Sequence, residues 1–501
     1  MKSDFTRAEH TFIVSDIHLC DAEKPHPYNP LWKRFKRREL FVDPIFKEFI
    51  RHALTLAPGE KELVLNGDIF DFDSVMKIPS AQEQKECGIS LSWIERLRGM
   101  QSEEGKSRLK MRYILDDHPV FLESLREWIQ AGNRLIFVIG NHDIELHWRS
   151  VKADLLQRLE LNEEQQERVR FCDWFYLSNQ DTLIEHGNQY DAYTICSNPI
   201  NPLIRKGFRP HVRIPFGNIA GRYIMNGIGL MNPHAPSSFI KSSFHEYLVF
   251  YFRYVIRVQP FLMFTYLWGA MVTLVDAIAD GLLPAMSDPL TLESRVREIA
   301  ATSNASPAVV LGLREMHVHP AIYDPFKIMR ELWLDRVLLL FLVFLVSFEV
   351  FIHGKVLLSD ASLGWMLVPL ALLTPFFIFY ARSVDTELYA AERAAFEAVP
   401  LSARIAGVER VVQGHSHLEK HVWKNGIEYL NSGTWSYAFR DVECTQPYGR
   451  KCFAWIKPFP GGERLPGAGE VLAGGLPARI AELYEWNVQD SIPQLVKNDE
   501  S

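Results

Sequence analysis

Cysteine is scarce in this chain. Six residues in 501, at positions 20, 87, 172, 196, 444 and 452, include no Cys-x-x-Cys pair, which argues against a disulfide framework and a zinc knuckle and fits reduced thiols. An excess of positive charge is missing too. With a net charge of -7, nucleic acid is not an expected partner. The first ten residues, MKSDFTRAEH, hold no apolar run behind a positive segment, so no cleaved export signal is expected and the chain is expected to start in the cytoplasm. No internal repeat is visible, which sets solenoid architectures aside.

Apolar residues, at 48%, suffice for one large core or two. Thr11 to Leu19, Lys61 to Asn66 and Arg134 to Ile139 read as strands, and helical patterns at Asp43 to Leu56 and Asp117 to Gln130 precede the last two. This alternation predicts a layered α/β core. Ile144 to Leu161 predicts a helix, and Arg168 to Cys172, Trp174 to Ser178 and Asp181 to Glu185 predict short strands. The polar excursion Ser74 to Arg112 predicts a helical flap or surface insertion with solvated charges. Ala192 to His245 has loop composition and is locally basic. From Glu409 to Trp486, six strand candidates suggest a second sheet, with a Gly/Pro-rich loop at Pro458 to Pro477.

Five short motifs follow strand-like runs: Asp16-x-His18, Gly67-Asp68-x-x-Asp71, Gly140-Asn141-His142-Asp143, His186-Gly187-Asn188 and Gly414-His415-x-His417. Open α/β sheets place their sites just past strand ends. Residues two apart on a strand share a face, so Asp16 and His18 leave together. A pair of divalent ions needs one carboxylate able to bridge and separate ligands for each ion. Asp68, on a tight glycine turn, suits the bridge. Asp16, His18 and one late histidine complete one ion; Asn141, His186 and the other late histidine complete the second. Imidazole, carboxylate and amide oxygen together fit manganese, with iron or zinc as alternatives, over magnesium. His142, with Asp143 as orienting partner, is the expected general acid, and Asp71 is expected behind the ligands. Asn188, Arg205, Arg209 and Arg213 are expected to meet the phosphate of a substrate.

Taken together, these motifs resemble the calcineurin-like metallophosphoesterase superfamily, whose pattern is DxH, GDxxD, GNH[DE], a later histidine and GHxH. The resemblance covers about residues 11–186 and 410–433. It implies an α/β fold, a four-layer αββα sandwich, and a dinuclear site with Asp16, His18, Asp68 and His417 on one ion and Asp68, Asn141, His186 and His415 on the other. His142 matches the catalytic histidine of the superfamily. The chain is also similar to the membrane-associated UDP-2,3-diacylglucosamine pyrophosphatases, which use this fold on a lipid. Many of those carry arginine where His142 stands, and a histidine leans toward ester cleavage.

Three apolar stretches, Val258 to Ala279, Val337 to Ile352 and Leu363 to Tyr380, interrupt the soluble pattern. The last two form a hairpin, 335–381, whose arms reach about 24 to 27 Å, close to the roughly 30 Å of a hydrocarbon core. Lys327, Arg330, Arg336 and Arg382 place its flanks inside. Residues 1–245 and 391–501 are thus expected to be two parts of one catalytic domain around a helical, membrane-associated insertion, 246–390. Val258 to Ala279 is expected to lie in the interface, re-enter, or pack as a buried helix. The expected protein is a cytoplasm-facing phosphoesterase on the cytoplasmic membrane with a lipid-linked substrate. Its rivals are a pyrophosphatase of a nucleotide-linked lipid, a soluble oligomeric phosphodiesterase and an inactive scaffold.

Overall fold

The computed structural model describes residues 4–56, 58–230, 249–286, 289–357, 390–459 and 479–496. These form a mixed α/β structure on two main sheets. Strands β1 (His10–Val14), β2 (Lys61–Asn66), β3 (Arg134–Val138) and β4 (Val169–Cys172) run parallel. Their crossovers carry α1 (Asp43–Thr55), α2 (Ala81–Glu86), α3 (Trp93–Arg98), α4 (Glu104–Asp117), α5 (Pro119–Gln130) and α6 (Arg149–Arg158). β5 (Phe175–Ser178) and β6 (Thr182–Glu185) open the second sheet, and β7 (Leu203–Lys206) with β8 (Arg209–Val212) makes a separate hairpin. β9 (Arg410–Gln413), β10 (Lys420–Lys424) and β11 (Ile427–Asn431) complete the second sheet, with β9 parallel to β6.

The C-terminal strands divide between the sheets. A two-residue pair, β12 (Ala438–Phe439) and β13 (Pro447–Tyr448), stands apart, while β14 (Cys452–Pro458), β15 (Arg479–Asn487) and β16 (Ile492–Leu495) return to the first sheet. β14 pairs antiparallel with β1, giving the order β16-β15-β14-β1-β2-β3-β4. The expected single C-terminal sheet is corrected accordingly; the strand pattern marks elements but not their neighbours.

Strand alternation explains the layers. Phe12 and Val14 of β1 face α1 and α5 in a cluster with Phe46, Phe49, Leu125 and Trp128. Ile13 points the other way, toward Val64, Ile136, Tyr176, Ile184, Val412 and Leu430, so the two sheets meet face to face. The far side of the second sheet is covered by the helices Pro289–Thr302, Pro307–Glu315 and Ala390–Ala406 through Val296, Ile299, Val310, Leu313 and Val399. Part of the expected insertion therefore serves as an outer layer of the domain.

Among the described residues, two helices are long and apolar enough to cross a membrane, Leu262–Leu282 with mean hydropathy 1.6 and Leu334–Val356 with 2.4. The first buries Gly269, Ala270, Thr273, Ala277 and Asp280 on one side. The second exposes Leu338, Phe341, Phe344, Leu345 and Phe348 around much of its circumference. Glu349, in the second, is exposed and pairs with His353 at 3.4 Å. The expected hairpin arm Leu363 to Tyr380, residues 231–245 of the basic stretch, and 460–477 of the Gly/Pro-rich loop lie outside the described residues. The remainder of that stretch is not plain loop, since it holds β7, β8 and a continuous helical segment, 216–228, with a π-turn at Gly221–Met225.

The polar excursion also departs from expectation. Its charges are not all solvated: Lys106 is buried against Glu95 at 2.6 Å, and Lys110 is buried against Glu145. Burial pushes the Glu145 carboxyl up and the Lys110 amine down. Removing one partner strands the other charge at a cost of about 3 to 5 kcal/mol. Lys110→Ala is expected to lower unfolding free energy in urea by that amount; a change under about 1 kcal/mol refutes the pairing.

Candidate metal centre

The C-terminal ends of β1, β2, β3, β6 and β9 open on one edge, and the loops leaving them bring the motifs together. Asp16, His18 and His417 offer ligand atoms within 4.8 Å of one another, as do Asp68, His186 and His415, and also His18, Asp71 and His142. Two of these sets match the terminal ligands expected for each ion, although the sequence left the order of His415 and His417 open until the family resemblance assigned it.

Backbone bonds hold the loops in place. Asp16 N donates to Gly67 O at 3.1 Å and His18 N to Asp68 O at 2.9 Å. The Asp16 carbonyl accepts from Trp435 N, Ser436 N and Thr434 Oγ1 at 2.9 to 3.1 Å. Asp68 Oδ1 accepts from His142 N at 2.8 Å, and Asp16 Oδ2 from His415 N at 3.1 Å. Asp16, His18, Asp68, His415 and His417 all have φ between 53° and 65°, a region that costs non-glycine residues about 1 to 3 kcal/mol each. The motif glycines fit this crowding. A Cβ on Gly140 would lie 2.4 Å from Asp68 Oδ1, and one on Gly414 would lie 2.6 Å from Asp16 Oδ2.

The donor set fits divalent ions. Ligands about 2.1 Å from one ion at angles of about 90 to 109° stand about 3.0 to 3.4 Å apart. His417 Nε2 lies 3.1 Å from Asp16 Oδ1 and 3.2 Å from His18 Nε2, and His186 Nε2 lies 3.2 Å from Asp68 Oδ2. His186 Nδ1 donates to Asn66 O at 2.9 Å, which leaves Nε2 to face the carboxylate. Although close to opposite charges, Asp16 Oδ1 and His186 Nε2 make no hydrogen bond of good geometry, and neither does buried Asn141 Oδ1. His186 Nε2 and Asp16 Oδ1 lie 4.0 Å apart, and buried donor atoms of this kind could hold a metal ion.

Electrostatics agree. Burial disfavours the Asp16 carboxylate, but the imidazoles of His417 and His186 outweigh it and hold its pKa low. Burial is likewise outweighed at Asp68, by His186 and His142, which hold it well below the ordinary range. In return, against burial, Asp68 and Asp16 raise His186 to about 9. Without metal, a proton on His186 offsets part of the carboxylate charge.

The remaining expected residues fall as follows. His142 Nδ1 meets Asp71 Oδ1 at 3.1 Å, and Asp71 also accepts from the backbone N–H groups of Asp73 and Ser74. Asp143 does not orient His142, a correction to the sequence reading. Its carboxylate is taken by Gly140 N at 2.6 Å and Ile69 N at 2.9 Å, pinning the β2 and β3 loops together. Asn188 is buried beside His186 and donates to Thr194 O. Arg205 is exposed on β7. Arg209 pairs with Glu103 at 2.8 Å, and Arg213 is buried on Ser197, Tyr323 and Leu283. The expected phosphate contact of Arg209 and Arg213 is therefore corrected, because local basic composition did not reveal their distant partners.

Two site residues escaped the sequence reading. Asp191 Oδ2 lies 3.2 Å from His415 Nε2, with Thr194 Oγ1 at 3.1 Å, which leaves His415 Nδ1 for an ion. Asp73 lies 3.9 Å from His142. Their only signal was closeness in sequence to His186 and Asp71.

Metal must displace the proton on His186, so below about pH 9 each pH unit is expected to weaken manganese binding by up to tenfold per displaced proton. Manganese titrations at pH 6.5 and 8 check this, and equal affinities would contradict it. Compared with models of known protein families and with curated proteins, the chain matches none.

Proposed function

We propose that this chain is a dinuclear, metal-dependent phosphoesterase working at the cytoplasmic face of a membrane on a lipid-linked phosphoester. The observation that carries the reading is the convergence of Asp16, His18 and His417, and of Asp68, His186 and His415, each set with ligand atoms within 4.8 Å of one another, beside Asp16 Oδ1 and His186 Nε2, which are buried and make no hydrogen bond of good geometry. The order helices, sheet, sheet, helices supports the same reading, since a four-layer αββα sandwich is what the resemblance to calcineurin-like metallophosphoesterases implies.

Two divalent ions, manganese foremost with iron or zinc as alternatives, would polarise a phosphoryl oxygen and acidify a water there. Asp68 is the proposed bridge, and Asn141 is proposed to add its amide oxygen beside His186 and His415. His142 supplies the proton. Its Nδ1 meets Asp71 Oδ1 at 3.1 Å, and Nε2 is the proposed donor to the oxygen that departs. Against burial, Asp71 and Asp68 raise the imidazole to about 10. With a cation bound beside Asp68, less of that carboxylate's charge would act on His142, and the imidazole's pKa would fall toward the working pH while it keeps the proton it donates.

The membrane setting rests on the two apolar helices. The Leu334–Leu357 helix, apolar almost all round, suits lipid. The Leu262–Leu282 helix is one-sided: Lys206 of β7 reaches Asp276 at 2.9 Å and Asp280 at 2.6 Å, fixing its polar side on the domain. That favours an interfacial position. Phe261, Met263, Phe264, Met271 and Val275 are left exposed for acyl chains. His186 and His415 flank the insertion and are proposed to serve one site, so crossings are expected to come in pairs.

A panel of phosphomonoesters, diesters and lipid pyrophosphates with manganese tests the chemistry. His142→Ala is expected to lose about 10²- to 10⁴-fold in kcat on alkyl esters and far less on a p-nitrophenyl ester, whose leaving group needs little protonation. Release of a nucleotide monophosphate would favour the pyrophosphatase rival, and no turnover with metal bound would favour the scaffold. Membranes washed at high salt are expected to release the chain only with detergent. Recovery in the soluble fraction without detergent would defeat the anchor.

A further inference from the structure

The helical segment 216–228 touches the metal loops with one face. Asn218, Arg222 and Asn226 are spaced four apart, and all three are buried. Arg222 Nη2 donates to Asp73 Oδ1 at 2.7 Å, and Asn218 Nδ2 donates to Asp73 Oδ2 at 2.7 Å and to Asn141 O at 3.1 Å. Asn141 Nδ2 in turn donates to Asn218 Oδ1 at 3.2 Å. Asn226 Nδ2 donates to the Asp73 and Arg98 carbonyls without touching Asn141.

The chemistry of these groups fixes both amides. A carboxylate paired with arginine only accepts, so the Asn218 atom facing Asp73 is nitrogen and the atom facing Asn141 is oxygen. That oxygen requires the nitrogen of Asn141. The Asn141 oxygen must then turn away from Asn218, and there it is buried and lacks a hydrogen-bond partner. Without this relay, rotation of the Asn141 amide would present two N–H donors to a cation, which no cation tolerates.

We infer that Asn218, itself set by Asp73 and Arg222, is a positioning residue that holds the amide oxygen of Asn141 toward the second ion. This rests on the dinuclear reading above. Groups that orient a ligand in this way typically change metal affinity by 10- to 100-fold when removed.

Manganese binding to the full chain in detergent tests it, followed by equilibrium dialysis and by the electron paramagnetic resonance signal of the paired ions. The parent is expected to bind two ions. Asn218→Ala is expected to keep one unchanged, weaken the other by about 10- to 100-fold, and lose the paired signal. Asn226→Ala, which removes a bond of the same segment to Asp73, is expected to keep both. In a double-mutant cycle, Asn218→Ala added to Asn141→Ala is expected to cause little further loss. Should alanine prevent folding, Asn218→Ser, too short to reach the Asn141 amide, replaces it with the same expectation.

Two tight ions in a folded Asn218 variant would overturn the inference and leave the dinuclear reading standing. So would equal weakening by Asn226→Ala, or additive losses in the cycle. A parent that binds no manganese would overturn the dinuclear reading itself.

Discussion

Two carboxylates buried near one another, Asp16 and Asp68, set the conditions for the rest of the molecule. Each raises the cost of ionising the other, and water cannot reach them to help. A buried ion without compensation costs several kcal/mol, so the surroundings must supply positive charge. They do so with imidazoles from four separate places in the chain, one after β1, one after β3, one after β6 and two after β9. Five residues accept left-handed backbone to bring this about. Such strain persists only where the surroundings over-determine the conformation. Here the over-determination is visible: the Asp16 carbonyl alone accepts three hydrogen bonds from the 434–436 turn. Parallel pairing of β1, β2 and β3 puts their loops on one edge, and β9 beside β6 does the same for the second sheet.

What was legible in the sequence follows from this arrangement. Each motif sits within a few residues of a strand end, so strand pattern and ligand chemistry occur in one short window. Asp16, His18, Asp68, His186, His415 and His417 are found that way. Residues that act through a distant partner are not. Asp191 supports His415 across more than 200 positions, and nothing in the run NQYDAY marks it. Asn218 and Arg222 sit in a stretch whose Gly, Pro and Asn content resembles loop, because its helix is held by buried polar bonds rather than by propensity. Charge was misread for the same reason. Lys110 looks solvated in sequence and Arg213 looks placed to meet a phosphate, and both are buried on partners far along the chain.

Layer order was legible only in part. β1 to β4 alternate with helices, which fixes a parallel sheet. β14 and β15 carry no mark of their return to β1, since an antiparallel strand can dock on either sheet and the choice is made by inward faces such as Ala454, Ile456 and Leu483. The helices between 289 and 315 looked like part of an apolar insertion. Their buried faces, with Val296, Ile299, Val310 and Leu313, instead close the second sheet.

The two apolar helices differ in a way that hydropathy alone does not separate. In the Leu262–Leu282 helix, Gly269 lets the backbone approach Tyr223 so closely that a Cβ there would lie 2.7 Å from its carbonyl oxygen. Tyr223 OH also donates to Asp276 at 3.1 Å. Small residues and a paired acid on one side suit a helix packed on protein. The Leu334–Leu357 helix offers bulky Leu, Phe and Val side chains in most directions, which no protein surface within the described residues covers. The first helix is thus bound to the segment 216–228, whose opposite face grips Asn141 and Asp73. On the proposed reading, this one segment joins the lipid-facing part of the protein to its metal centre, since the same residues 216–228 bond Asn141 and Asp73 and pack on the apolar helix.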